Sequence, residues 1–206
     1  MEALKKITLS FSIVMASLIT LNAQDAKQQE AFTTSYTLEY NGDYQKAIDA
    51  IKKVYDEKSY ELNLRAGWLN YEAALYIESQ QFYQKAISLN PNSIEAKLGY
   101  IYPATALGNK DQVINQYSEI LKIDTQNATA NYQLGLYYYY KKDYKKGINY
   151  FEKLVTLSPS GYDALLMYAW TEFQLGKTIE AYQLFNKVLL ISPNDKSALE
   201  GLALIK

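Results

Sequence analysis

Cysteine and histidine are both absent from this 206-residue chain, while tyrosine occurs 21 times and tryptophan twice. That inventory removes disulfides, thiolate and imidazole metal sites, thiol nucleophiles and histidine-centred triads. Paired carboxylates remain able to act as acid and base, but no Asp or Glu is marked out by more than a place on a polar stretch, where solvated surface acids are the rule. No glycine-rich run resembles a phosphate loop. The expectation is a protein that is not an enzyme and uses no cofactor and no metal. Aromatic side chains with polar tips suit recognition better than reaction.

Charge points the same way. Lys plus Arg number 21 against 22 Asp plus Glu, a net charge of −1, with the two signs interleaved. A nucleic-acid binder carries a basic face, so DNA and RNA are not expected partners. Residues 1–23 differ from the rest: Lys5 and Lys6 precede an uncharged apolar run from Ile7 to Leu21, and Ala23 follows as a small residue. This reads as a secretory signal peptide cleaved after Ala23. The run falls short of the roughly 20 residues that span a bilayer, so no stable membrane anchor is expected after cleavage. The expected location is periplasmic or secreted.

The remaining residues must be positioned by a repeated element. Steps of 34 residues link Pro91, Thr125, Pro159 and Pro193, and likewise Tyr83, Tyr117, Phe151 and Phe185. They also link Ala86, Ile120, Leu154 and Val188, and bring Ser93, Asn127, Gly161 and Asp195 to the start of each following helix, where Ser, Asn and Asp are good N-caps. The clearest unit, Asn127 to Pro159, places Leu134, Gly135 and Tyr138 on one helix and Gly147, Phe151 and Leu154 on the next. These spacings resemble the tetratricopeptide repeat (TPR). The resemblance covers about residues 28–206 and implies an all-α, right-handed superhelical solenoid of antiparallel helix pairs.

Five repeats are expected, at about 28–59, 60–93, 94–127, 128–161 and 162–195, with a short capping helix over 196–206, so that 24–206 form one TPR-like solenoid. The first link is two residues shorter than the later ones, and Asp43 is expected to cap the second helix of its unit. In the second unit Ala74-Leu75 stands where the turn glycine belongs, leaving either the usual turn or one continuous helix from about Leu64 to Leu89. In the third, Ile101 occupies the small-residue place and Pro103 follows, predicting a kinked or widened first helix or merely tolerated drift. The apolar cap, with Leu199, Leu202 and Ile205, either packs on the last unit or sits in a homodimer contact. Asn127-Ala-Thr129 fits a glycosylation acceptor, though Asn127 also serves as a helix cap.

The resemblance further implies that first helices line a concave face, at the second, fifth, ninth, twelfth and thirteenth places of each unit. The fifth and ninth places give Leu64 and Trp68, Leu98 and Tyr102, Tyr132 and Leu136, Leu166 and Trp170; the later two add Tyr71, Tyr139, Tyr140 and Phe173. The candidate groove is therefore Leu64, Trp68, Tyr71, Leu98, Tyr102, Tyr132, Tyr139, Tyr140, Leu166, Trp170 and Phe173. It is aromatic and almost free of positive charge, so the Lys and Asn clamp by which some TPR proteins hold a peptide carboxylate is missing. Two readings stand: a trough for an extended or helical peptide, or rings that merely fill space between repeats. The expected function is a non-enzymatic protein-protein interaction scaffold of the cell envelope that binds a protein or peptide; the alternative is a carbohydrate-binding groove using the same rings.

Overall fold

A computed structural model describes residues 24–205, and among these every regular element is an α-helix. The chain divides into two compact units, the first reaching Leu107 and the second beginning at Gly108. The first unit holds α1 (24–40), α2 (Tyr44–Lys52), α3 (Tyr60–Glu72), α4 (Tyr76–Leu89) and α5 (Ile94–Ala106). The second holds α6 (Lys110–Ile123), α7 (Ala128–Tyr140), α8 (Tyr144–Leu157), α9 (Tyr162–Gln174), α10 (Thr178–Ile191) and α11 (Lys196–Leu204). No described helix is long and apolar enough to cross a membrane. The expected signal peptide at 1–23 lies outside the described residues.

Local chemistry sets where helices start and stop. Ser59, Ser93, Asn127 and Asp195 each accept a hydrogen bond from the amide three residues on, which satisfies one of the free donors of α3, α5, α7 and α11. Asp43 does not cap α2 as its type suggests; its carboxylate pairs with Lys46 instead, at 3.0 Å. Between paired helices the chain reverses through a residue in the left-handed region: Gly42, Ala74, Lys142 and Gly176. Leu75 N–H bonds Asn70 C=O and Ala74 N–H bonds Tyr71 C=O, the Schellman arrangement that closes a helix end. The chain therefore turns at Ala74 and the continuous helix does not form, although Ala lacks the conformational freedom of glycine.

Within each unit the helices pack on their neighbours in sequence and on the next but one. α3 packs on α2, α4 and α5 in the first unit, and α9 packs on α7, α8, α10 and α11 in the second. A large side chain from α4, α8 and α10 explains why. Tyr83 of α4 is 4% exposed, and its ring presses against Gly67 of α3 and Gly99 of α5, where a Cβ would come within 2.9 and 2.2 Å of ring atoms. Phe151 does the same to Gly135, and Phe185 to Gly201. Glycine is required at these places by close approach rather than by backbone conformation. Buried Asn63 and Asn131 repeat a second device, each donating through Nδ2 to two carbonyls of the preceding link. α5 continues through Pro103 to Ala106 as one helix, with Leu107 N–H bonded to Pro103 C=O.

Candidate functional site in the first unit

A groove of about 960 Å³ opens along the first helices of the first unit. Its lining comes from Phe32, Tyr36 and Glu39 on α1, from Tyr60, Glu61, Leu64, Arg65 and Trp68 on α3, and from Ile94, Glu95, Leu98, Gly99 and Tyr102 on α5, with Tyr83 of α4 beneath. Four candidate residues, Leu64, Trp68, Leu98 and Tyr102, are thus brought together. The 34-residue step sets them in facing rows: acids at Glu61 and Glu95, leucines at Leu64 and Leu98, rings at Trp68 and Tyr102. Tyr71, a fifth candidate, lies beside the aromatic row, with ring centroids 5.8 Å from Trp68 and 5.5 Å from Tyr102. Tyr102 is 51% exposed and presents its ring to solvent. Trp68 and Tyr102 meet edge to face at 6.2 Å, which leaves a platform rather than a cage.

An ion-pair network holds one wall. Arg65, only 5% exposed, pairs through Nη1 with Glu39 Oε2 at 2.5 Å and donates from Nε to Ser35 Oγ at 2.9 Å. Its guanidinium stacks 3.8 Å from the ring centroid of Tyr36. The other oxygen of Glu39 accepts from the indole N–H of Trp68 at 2.5 Å, so α1 fixes the orientation of the aromatic row on α3. Nη2 of Arg65 is buried and, among the described residues, has no hydrogen-bond partner. The lining therefore includes one guanidinium, buried and paired with Glu39. Arg65 occupies the sixth place of its unit, outside the positions that the resemblance assigns to the concave face.

Glu61 and Glu95 are exposed at the opposite end of the groove and join no ion pair among the described residues. Tyr60 donates to Glu95 at 3.4 Å and shares a 2.5 Å hydrogen bond with Ser93. Burial, more than these acids, pushes the Tyr60 phenol above its usual range. Counting Glu39 against Arg65, the lining carries an excess of two negative charges.

The six candidates of the second unit sit differently. Trp170 donates its indole N–H to Ser197 Oγ at 2.9 Å and packs edge to face on Phe185 and Phe173. Leu166 and Phe173 pack against the buried cluster of Leu165, Ala169, Ala181, Phe185 and Val188. Tyr132 abuts Phe151, and burial raises its phenol pKa. Tyr139 is half-buried against Tyr140 and Tyr144, whereas Tyr140 is 75% exposed. Tyr138 is half-buried and stacks parallel on Tyr150 at 5.7 Å. Most of these rings fill space between helices. Among the described residues no cluster of three or more acidic side chains could hold a metal ion.

Comparison with known proteins agrees with the helical-repeat fold. Tetratricopeptide repeat models match residues 60–93 and 138–205. A TPR repeat-containing protein of Methanocaldococcus jannaschii is 25% identical over 85% of the chain, which spans about two fifths (39%) of that relative's length. Among solved structures, a tetratricopeptide repeat protein from Parabacteroides merdae is similar with a TM-score of 0.71 and 23% identity, over 87% of this chain and 72% of that one. MamA is similar with a TM-score of 0.67 and 24% identity, over 80% and 91%. YrrB, described as a TPR protein with an unusual peptide-binding site, is similar with a TM-score of 0.66 and 15% identity, over 90% and 95%. The all-helical fold is that of TPR solenoid proteins, and residues 60–93 and 138–205 are tetratricopeptide repeats by sequence as well.

Proposed function

We propose that the chain is a non-enzymatic interaction module whose first unit binds a peptide segment of a partner protein in the groove between α1, α3 and α5. One observation carries the reading: the rows Leu64 with Leu98 and Trp68 with Tyr102 lie open on neighbouring helices in a groove of about 960 Å³, with Tyr102 half in solvent. A hydrophobic floor with a few convergent polar groups is the usual form of a binding cleft. The peptide-binding description of the structurally similar YrrB supports it as an analogy of fold. Tyr140, the most exposed of the second unit's candidates, offers a further contact surface there beside Tyr139.

The test is a peptide-display selection on the intact chain, repeated with Trp68→Ala and Tyr102→Ala. Enriched peptides that bind the parent and lose most of their affinity for either variant support the proposal. Selection that yields no binder, or binders indifferent to both substitutions, contradicts it. A glycan array run alongside addresses the sugar alternative, since the same rings can stack on pyranose faces. The charged and apolar pattern of residues 1–23 supports export to the periplasm or medium; N-terminal sequencing of the mature protein should then begin at Gln24, and a chain that retains Met1 would contradict it. Exposed Leu199 and Leu204 on α11 are the surface through which a homodimer would form; light scattering across a concentration series distinguishes dimer from monomer.

A further inference from the structure

Resting on the reading of the groove as a peptide site, the spacing of its rows and its charge define the peptide. From the acids at the second place to the rings at the ninth is seven residues of helix, or about 10 Å at 1.5 Å per residue. In a polyproline II strand, which rises about 3.1 Å per residue with three residues per turn, side chains three apart project from one edge roughly 9 Å apart. A β-strand does not reproduce this, because residues three apart point to opposite faces. A helical peptide spans the distance only by seven residues and keeps its carbonyls within its own hydrogen bonds. Arg65 is sealed from the groove by its contacts to Ser35, Tyr36 and Glu39 on α1 and takes no part in the contact. A polyproline II segment spans the two rows with the fewest residues.

We propose that the groove takes a peptide in polyproline II conformation that sets a lysine or arginine between Glu61 and Glu95 and a bulky apolar or aromatic side chain three residues away on Trp68 and Tyr102. Charge excludes the opposite polarity. An acidic peptide would meet two carboxylates that have no cationic partner among the described residues, and Arg65 is already neutralised by Glu39. The aliphatic stem of the basic residue lies over the leucine row, leaving only its head at the acids.

Fluorescence anisotropy on the intact chain tests this with three labelled, capped peptides: Pro-Lys-Pro-Pro-Phe-Pro, the same with Glu for Lys, and Pro-Lys-Pro-Phe-Pro-Pro with the spacing shortened. The first should bind about tenfold or more tighter than either other. Each exposed ion pair is worth up to about fivefold, so Glu61→Gln with Glu95→Gln should cost the first peptide roughly five- to tenfold and remove the preference over the Glu peptide. The decisive variant is the exposed glutamate pair, with helicity checked by circular dichroism. Equal binding of the Lys and Glu peptides, or a preference unchanged in the double glutamine variant, overturns the inference. Selected peptides that need Trp68 and Tyr102 but lack the basic-x-x-apolar pattern overturn it while leaving the proposed function standing; absence of any binder overturns both.

Discussion

Replacing Glu39 by Gln removes one charge from a pair whose other member cannot reach water. The Arg65 side chain is 4% exposed and that of Glu39 is 22% exposed. Breaking a buried pair by removing one partner costs about 3–5 kcal/mol, because the remaining charge is uncompensated. Two features lower that figure. Glu39 is partly solvated, and the glutamine oxygen still accepts one hydrogen bond, from Arg65 or from Trp68. A loss of about 2 kcal/mol is therefore expected. Adding Arg65→Met removes the stranded charge, so it should cost less in the Glu39→Gln background than in the parent, with a coupling of about 1–3 kcal/mol, as residues in one network show. Urea denaturation of these variants in a Trp170→Phe background, followed by Trp68 emission, reads this locally, since the Trp68 indole N–H donates to Glu39; local reading matters because repeat arrays need not unfold as one unit. A Glu39→Gln loss under about 0.5 kcal/mol, or two substitutions that simply add, would refute the network as described.

Other outcomes follow from the same contacts. Ala74→Gly and Lys142→Gly relieve a left-handed backbone (φ of 58 and 60°), worth about 1–2 kcal/mol before the loss in unfolded-chain entropy is deducted, so each should stabilise by about 0.5–1 kcal/mol in denaturant; a destabilised variant would contradict the turn geometry. Gly135→Ala puts a Cβ 2.7 Å from the buried ring of Phe151 and should cost about 1–3 kcal/mol by overpacking, unlike Gly108→Ala, whose Cβ meets open space and whose cost comes from positive φ alone. Burial, ahead of the nearby Glu152 and Glu172, pushes the Tyr168 phenol from 10.0 up to about 12, and burial also raises Tyr83. A raised folded-state pKa gives stability that is complete below the unfolded value near 10 and is lost as pH climbs through about 12. Stability measured from pH 9 to 12 should therefore fall with rising pH, and a flat profile would contradict it.

How much could be read beforehand depends on how local each determinant is. The helix pairs follow from recurring small and large residues, and α3, α5, α7, α9 and α11 begin at 60, 94, 128, 162 and 196. The turn at Ala74 was ambiguous because its Schellman hydrogen bonds are made by the backbone, without the glycine that usually marks them. Periodicity also told which side of a helix a residue takes but not what arrives opposite. Trp68 and Trp170 share the ninth place, yet one is tied to Glu39 from the preceding α1 and the other to Ser197 from the following α11. Arg65 escaped notice for the same reason: its meaning comes from Ser35, Tyr36 and Glu39, which lie 30, 29 and 26 residues earlier. The 34-residue step does not relate these residues to one another.

The groove of the first unit is tested most directly by the emission of Trp68 in a Trp170→Phe chain, where it is the sole tryptophan. Titration with a display-selected peptide should shift that emission saturably, with the same midpoint as anisotropy, and Tyr102→Ala should abolish the response. Peptide binding that leaves Trp68 emission unchanged and is indifferent to Tyr102 would place recognition elsewhere on the chain and contradict the account.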